Sequence, residues 1–107
     1  MEKILTKDEF SQFVENSKDK LALVDFKAAW CGPCRMLGQI FDDILPIDGV
    51  VVGEVDLDEA DEEIATEHGV RNIPTVLFFK NGLQIDRFTG MIGREAIENK
   101  IKENLEK

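Results

Sequence analysis

Both cysteines of this chain stand in Trp30-Cys31-Gly32-Pro33-Cys34, two residues apart and just after the apolar run from Leu21 to Phe26. Such a pair can exchange disulfides, contribute half of a metal site, or sit inert in a core. Its local setting favours the first. Pro33 suits the first turn of a helix, since its missing N–H would find no intrahelical partner there. Leu37, Ile40, Phe41, Ile44 and Leu45 then recur at three- and four-residue steps, the spacing of a helix with one apolar face. Cys31 falls at or just before the helix start, where free N–H groups and the helix dipole favour an anion. A thiolate is such an anion, and it is the reactive form of cysteine. Cys34 lies one turn further in, within disulfide reach of Cys31 and more shielded from water. An attacking sulfur and a resolving sulfur are thereby separated.

Two further features bear on that chemistry. Asp25 is the one polar residue in the run Leu21-Ala22-Leu23-Val24-Asp25-Phe26, which reads as a central strand buried on both faces. A carboxyl there is either a structural group bonded to backbone or a functional one, because an unpaired buried carboxyl is costly unless it is used. Ile73-Pro74-Thr75 opens another strand; proline is tolerated at that first position, and a cis peptide bond suits so tight a start. Metal binding fares poorly, since tetrahedral zinc needs four ligands. Only Cys31, Cys34 and His68 offer soft or nitrogen donors. His68 reads as an exposed residue at the end of an acidic helix, outside the chemistry.

The elements that must position these residues follow from pattern. Thr6-Lys7-Asp8-Glu9 is a capping box, with Phe10, Phe13 and Val14 as the apolar stripe of a first helix. Ile4-Leu5 before it is a candidate edge strand. The second helix runs from Pro33 and stops by Pro46. Val50 to Asp56 is β-branched and strand-like. A third helix is expected from Glu59 to His68, with Gly69 ending it. Thr75 to Lys80, Asn81-Gly82 and Leu83 to Phe88 form a hairpin, for which Asn-Gly is the strongest short signal. Ala96, Ile97, Ile101 and Leu105 share one face of a last helix. The order β-α-β-α-β-α-β-β-α predicts an α/β domain: a mixed sheet covered by helices on both faces, in three layers.

The whole chain bounds these readings. At 107 residues it makes one domain, residues 1–107, that needs no disulfide staple. A formal charge of −9, from 13 basic and 22 acidic residues, disfavours nucleic-acid binding. Acidic runs such as Asp56 to Glu63 read as solvated surface. The N-terminal residues lack the apolar stretch of a signal peptide, and no run approaches a membrane span. A cytoplasmic location is expected, where Cys-x-x-Cys is more often catalytic or metal-binding than structural.

Trp-Cys-Gly-Pro-Cys after an apolar strand with a buried Asp, followed some forty residues on by Ile-Pro-Thr, resembles the thioredoxins. The resemblance covers essentially the whole chain and includes Phe79-Lys80-Asn81-Gly82 and Gly90. It implies a thioredoxin fold, with about five strands flanked by four helices, and the reduction of protein disulfides. Carried over, Cys31 would be the nucleophile, Cys34 the resolving thiol, and Asp25 the acceptor of the Cys34 proton, helped by a pKa that burial raises. Trp30, Gly32, Pro33, Ile73, Pro74, Gly90 and Met91 would form the apolar surface on which partners dock. Ile73 would offer backbone to an extended substrate segment. Recycling would come from a flavin-containing thioredoxin reductase, since no nucleotide-binding fingerprint is present; no bound cofactor or metal and a monomer are expected. The chain departs from the usual pattern at three places. Glu54 replaces a lysine near the buried carboxylate and would raise the Asp25 pKa further. Lys27 stands where tryptophan is common, its charge available to the Cys31 thiolate. Gln39 replaces a helix-kinking proline. A disulfide oxidant or isomerase, and an adaptor in which redox turnover is incidental, remain as alternatives.

Overall fold

The computed structural model describes residues 1–107. Along the chain run β1 (Glu2–Lys3), α1 (Lys7–Glu15), β2 (Leu21–Lys27), α2 (Gly32–Ile44), β3 (Val50–Asp56), α3 (Glu62–Glu67), β4 (Thr75–Lys80), β5 (Leu83–Thr89) and α4 (Arg94–Leu105). One sheet joins the strands in the order β1-β3-β2-β4-β5. β1, β3 and β2 are parallel, while β4 runs antiparallel to β2 and β5 antiparallel to β4. This is the mixed sheet in three layers that the element order predicts.

Alternation along the central strands builds the two cores. Ala22, Val24 and Phe26 join Leu77 and Phe79 on the face covered by Phe10 and Phe13 of α1 and Ile64 of α3. Leu21 and Leu23 join Val76 and Phe78 on the opposite face, under Leu37 and Phe41 of α2 and Ile97 and Ile101 of α4. Asp25 and Lys27 continue this second row and so point toward α2. The hairpin turn follows its Asn-Gly signal, with φ of 53° at Asn81 and 80° at Gly82, as a tight two-residue turn requires. Thr6 caps α1 by accepting the Glu9 N–H while Glu9 reaches back to the Thr6 N–H. Gly53 lets Ile4 and Phe13 pack directly on β3: a Cβ there would meet Ile4 Cδ1 at 2.7 Å and the Phe13 ring at 3.1 Å.

Three expectations are corrected. The edge strand is Glu2–Lys3 rather than Ile4-Leu5, because Ile4 turns its side chain into the core while its N–H still reaches Glu54 O at 2.9 Å. The third helix is Glu62–Glu67 rather than Glu59 to His68. The residues before it fold as a turn: Asp56 Oδ1 accepts the Asp58 N–H, and Asp56 O accepts those of Glu59 and Ala60. Aspartate side chains compete with helix formation in this way. His68 is half-buried, not exposed. Its ring stacks 4.6 Å from that of Phe10, and its Nδ1 bonds Ile64 O. No helix is long and apolar enough to cross a membrane.

Candidate active site

The loop after β2 delivers the cysteines to the start of α2. Cys31 is the residue that caps this helix, with extended backbone and proline in the first turn. Its carbonyl accepts the Arg35 N–H, and its Sγ accepts the Cys34 N–H at 3.2 Å. One backbone donor of the helix N-terminus therefore already points at the Cys31 sulfur, where it would stabilise negative charge. Cys31 and Cys34 are joined as a disulfide with their Cα atoms 5.2 Å apart. Both are nearly covered, Cys31 at 6% and Cys34 at 2% exposure, so the expected difference in shielding is present but small. Ala28 and Ile73 pack against the pair. Gly32 is half-buried and Pro33 exposed beside it.

The strand starting at Thr75 supplies the facing wall. The Ile73–Pro74 peptide bond is cis. Pro74 is itself buried, so only Ile73 of this dipeptide lends side-chain surface to the outside. Pro74 O accepts the Gly90 N–H at 2.7 Å, and Thr75 Oγ1 bonds both Asn72 O and Thr89 Oγ1. Gly90 has φ +85°, a conformation that side chains oppose, so glycine is required where these two loops are tied together. Gly90 and the adjacent Met91 are half-buried at the same rim.

Trp30 is 70% exposed, and its indole Nε1 donates to Asp58 Oδ2 at 3.0 Å. Sequence reasoning missed Asp58, which lies in the acidic run read as solvated surface. Only the Asp56–Asp58 turn brings it to Trp30. Met36, 57% exposed on α2, was missed as well. Its signal was available: Met36 falls outside the stripe of Leu37, Ile40, Phe41, Ile44 and Leu45, and is an apolar residue with no core to enter.

Beneath the dithiol lies Asp25. It is fully buried, and neither carboxyl oxygen has a hydrogen-bond partner. The structural alternative, a carboxylate bonded to backbone, is therefore set aside. Burial pushes its pKa up to about 7; the Glu54 charge adds to the rise, and Lys27 opposes it. Asp25 and Glu54 are directly paired across β2 and β3. Glu54 Oε2 in turn holds Lys27 Nζ at 3.5 Å. This corrects the expectation for Lys27: its ammonium is engaged by Glu54 rather than offered to Cys31. Asp25, Lys27, Cys34, Gln39 and Glu54 line one pocket beside the disulfide.

A cysteine pair at a helix N-terminus, bonded to each other and underlain by a carboxyl that exchanges protons near neutrality, is equipped to interchange disulfides. Comparison with known proteins agrees. The thioredoxin family model matches residues 2–103. The chain is 37% identical over 102 residues to thioredoxin 2 of Chlorobaculum tepidum, covering 94% of this chain and 92% of that protein. The structure of Malassezia sympodialis thioredoxin superposes with a TM-score of 0.83 at 39% identity, over 96% of this chain and 89% of that one. Oxidised mitochondrial thioredoxin 3 from Saccharomyces cerevisiae gives 0.84 at 31% identity, over 96% and 94%. By fold, by relatives and by its bonded cysteine pair, the chain belongs to the thioredoxin family and is a thiol–disulfide oxidoreductase.

Proposed function

We propose that this chain reduces disulfides of protein substrates in the cytoplasm, with Cys31 as nucleophile, Cys34 as resolving thiol and Asp25 as proton acceptor. The Cys31 thiolate attacks one sulfur of a substrate disulfide. A Cys31–substrate bond forms, the substrate S–S bond breaks, and the first substrate sulfur leaves as a thiolate. Cys34 passes its proton to Asp25 and attacks Cys31 Sγ. The mixed disulfide breaks, the second substrate sulfur leaves, and Cys31–Cys34 is closed. The substrate has gained two electrons and the protein has lost them. Thioredoxins are returned to the dithiol by a thioredoxin reductase. For this chain we infer a flavin-dependent one, acting on a monomer that binds no cofactor of its own.

The observation that carries the assignment of roles is the asymmetry of the pair. Cys31 caps the helix at the rim beside exposed Trp30 and Pro33, whereas Cys34 lies inside, lining the same pocket as Asp25. The test is a trap. Cys34→Ser should accumulate a stable mixed disulfide through Cys31 on a protein substrate, and Cys31→Ser should accumulate none. A trap formed equally by both variants would reverse or dissolve the assignment. The reduction potential of the pair separates reductase from oxidant: a value near or below that of the cytosolic glutathione pool supports reduction, and a markedly more oxidising one refutes it.

A further inference from the structure

Asp25 is fully buried at the base of the pocket it shares with Cys34 and Glu54. Across β4 it faces Val76, which is fully buried, and Cys34 lies above it on α2. On the β3 side stands Glu54, its direct partner, with the two strands about 4.8 Å apart. The Glu54 side chain is 17% exposed and that of Lys27 28%, so the pair spans the boundary between the buried carboxyl and water. Arg35 and Asp42 of α2 stand on the exposed outer wall of the same pocket, and Met1 completes it. The charged and titratable groups facing Asp25 are thus Glu54 and Lys27 from the sheet, Cys34 from above, and Arg35 and Asp42 further out.

We propose that Glu54 is the proton port of Asp25, carrying the proton between the buried carboxyl and solvent while Lys27 holds it in place. This rests on Asp25 being the acceptor for Cys34. When Asp25 is protonated, its proton moves through water to the Glu54 carboxylate, leaving Asp25 ionised. Glu54 then releases that proton to bulk water. The Lys27 ammonium fixes the orientation of Glu54, so an acceptor stands ready on the pocket wall beside Asp25. Because burial raises its pKa, Asp25 holds a proton at lower pH that must leave before Cys34 can be deprotonated. Glu54 and Lys27 are positioning residues in this scheme, since neither touches the sulfurs.

The port makes a prediction opposite in sign to simple electrostatics. If Glu54 acts only by charge, Glu54→Gln leaves Asp25 more often ionised, and resolution of the mixed disulfide becomes faster below pH 7. If Glu54 is the port, the same variant slows that step. The experiment mixes the reduced full chain with dithiobis(nitrobenzoate) in a stopped-flow instrument at pH 6.5. The first nitrothiolate released reports Cys31 attack and the second reports resolution by Cys34. The port predicts an unchanged first phase in Glu54→Gln and a second phase slowed about fivefold in dilute buffer. Imidazole added at constant ionic strength should restore it, and should leave the native chain unaffected. A second phase that is faster or unchanged, with no response to imidazole, overturns the port. Asp25→Asn run alongside separates the layers. Slowed resolution there with a fast Glu54→Gln sinks the port alone; normal resolution in Asp25→Asn sinks the reading of Asp25 and the port with it. The Glu54→Gln change is isosteric and lies at the partly exposed rim, so the fold is retained.

Discussion

Replacing Asp25 with Asn should leave the protein more stable at alkaline pH, and the size of the gain can be worked from the structure. The carboxyl is buried without a hydrogen-bond partner and is held near pKa 7 rather than at its ordinary 3.8. A raised carboxyl pKa means that the folded state binds more protons than the unfolded state between those values, so stability falls as pH rises through the window. It is fully present below about pH 4, is lost progressively up to pH 7, and is level above that. At 1.36 kcal/mol per pH unit, the loss between pH 4 and pH 9 comes to about 4 kcal/mol. Asn titrates nowhere in this range. Its buried amide adds a penalty of about 1–3 kcal/mol that does not depend on pH. The informative quantity is therefore the difference in unfolding free energy between variant and native chain, measured by urea denaturation at pH 4 and at pH 9. That difference should move by about 4 kcal/mol in favour of the variant. Groups that do not interact with Asp25 titrate alike in both proteins and cancel. A difference constant to within about 1 kcal/mol would refute the reasoning, because it would show that folding does not shift Asp25.

Two other outcomes are expected. Gly53→Ala places a methyl against Ile4 and the Phe13 ring, so it should cost about 1–3 kcal/mol in urea unfolding with the reduction potential unchanged; a neutral result would show that Ile4 and Phe13 give way freely. Trp30→Ala removes the exposed ring that Asp58 holds in place, and should raise KM for a protein disulfide about fivefold while leaving a small aromatic disulfide unaffected; equal loss on both substrates would place Trp30 in the chemistry rather than in docking.

Much of this architecture is legible in the sequence because local chemistry and burial agree. The run Leu21 to Phe26 can only be a covered strand, Pro33 can begin a helix but Pro46 cannot continue it, and Asn81-Gly82 turns where positive φ is needed. The dithiol's place at a helix start follows from the same rules. What escapes is decided by register and by competing polar bonds. That Lys27 meets Glu54 depends on how β2 is aligned with β3, which no local pattern specifies. The acidic stretch after β3 has helical composition, yet the Asp56 side chain captures the Asp58 N–H and delays the helix to Glu62. That turn also carries Asp58 to Trp30, so one misread boundary hid a neighbour of the active site. His68 looked like solvent-facing punctuation because a lone histidine carries no periodic signal; packing against Phe10 and Phe79 is a tertiary matter.

The two chain ends stand differently with respect to the redox site. Met1 borders the pocket that opens onto Asp25. The six residues of β4 span about 20 Å away from the disulfide to Lys80, whose ammonium bonds the carbonyls of Asn104, Leu105 and Lys107 at the close of α4. Labels, surface tethers and fusion partners are therefore not interchangeable on this scaffold. A fluorophore or immobilisation tag attached beyond Lys107, or inserted at the Asn81-Gly82 tip, leaves the redox face open to large partners. The same tag ahead of Met1 would crowd the mouth of that pocket and turn a handle into an inhibitor.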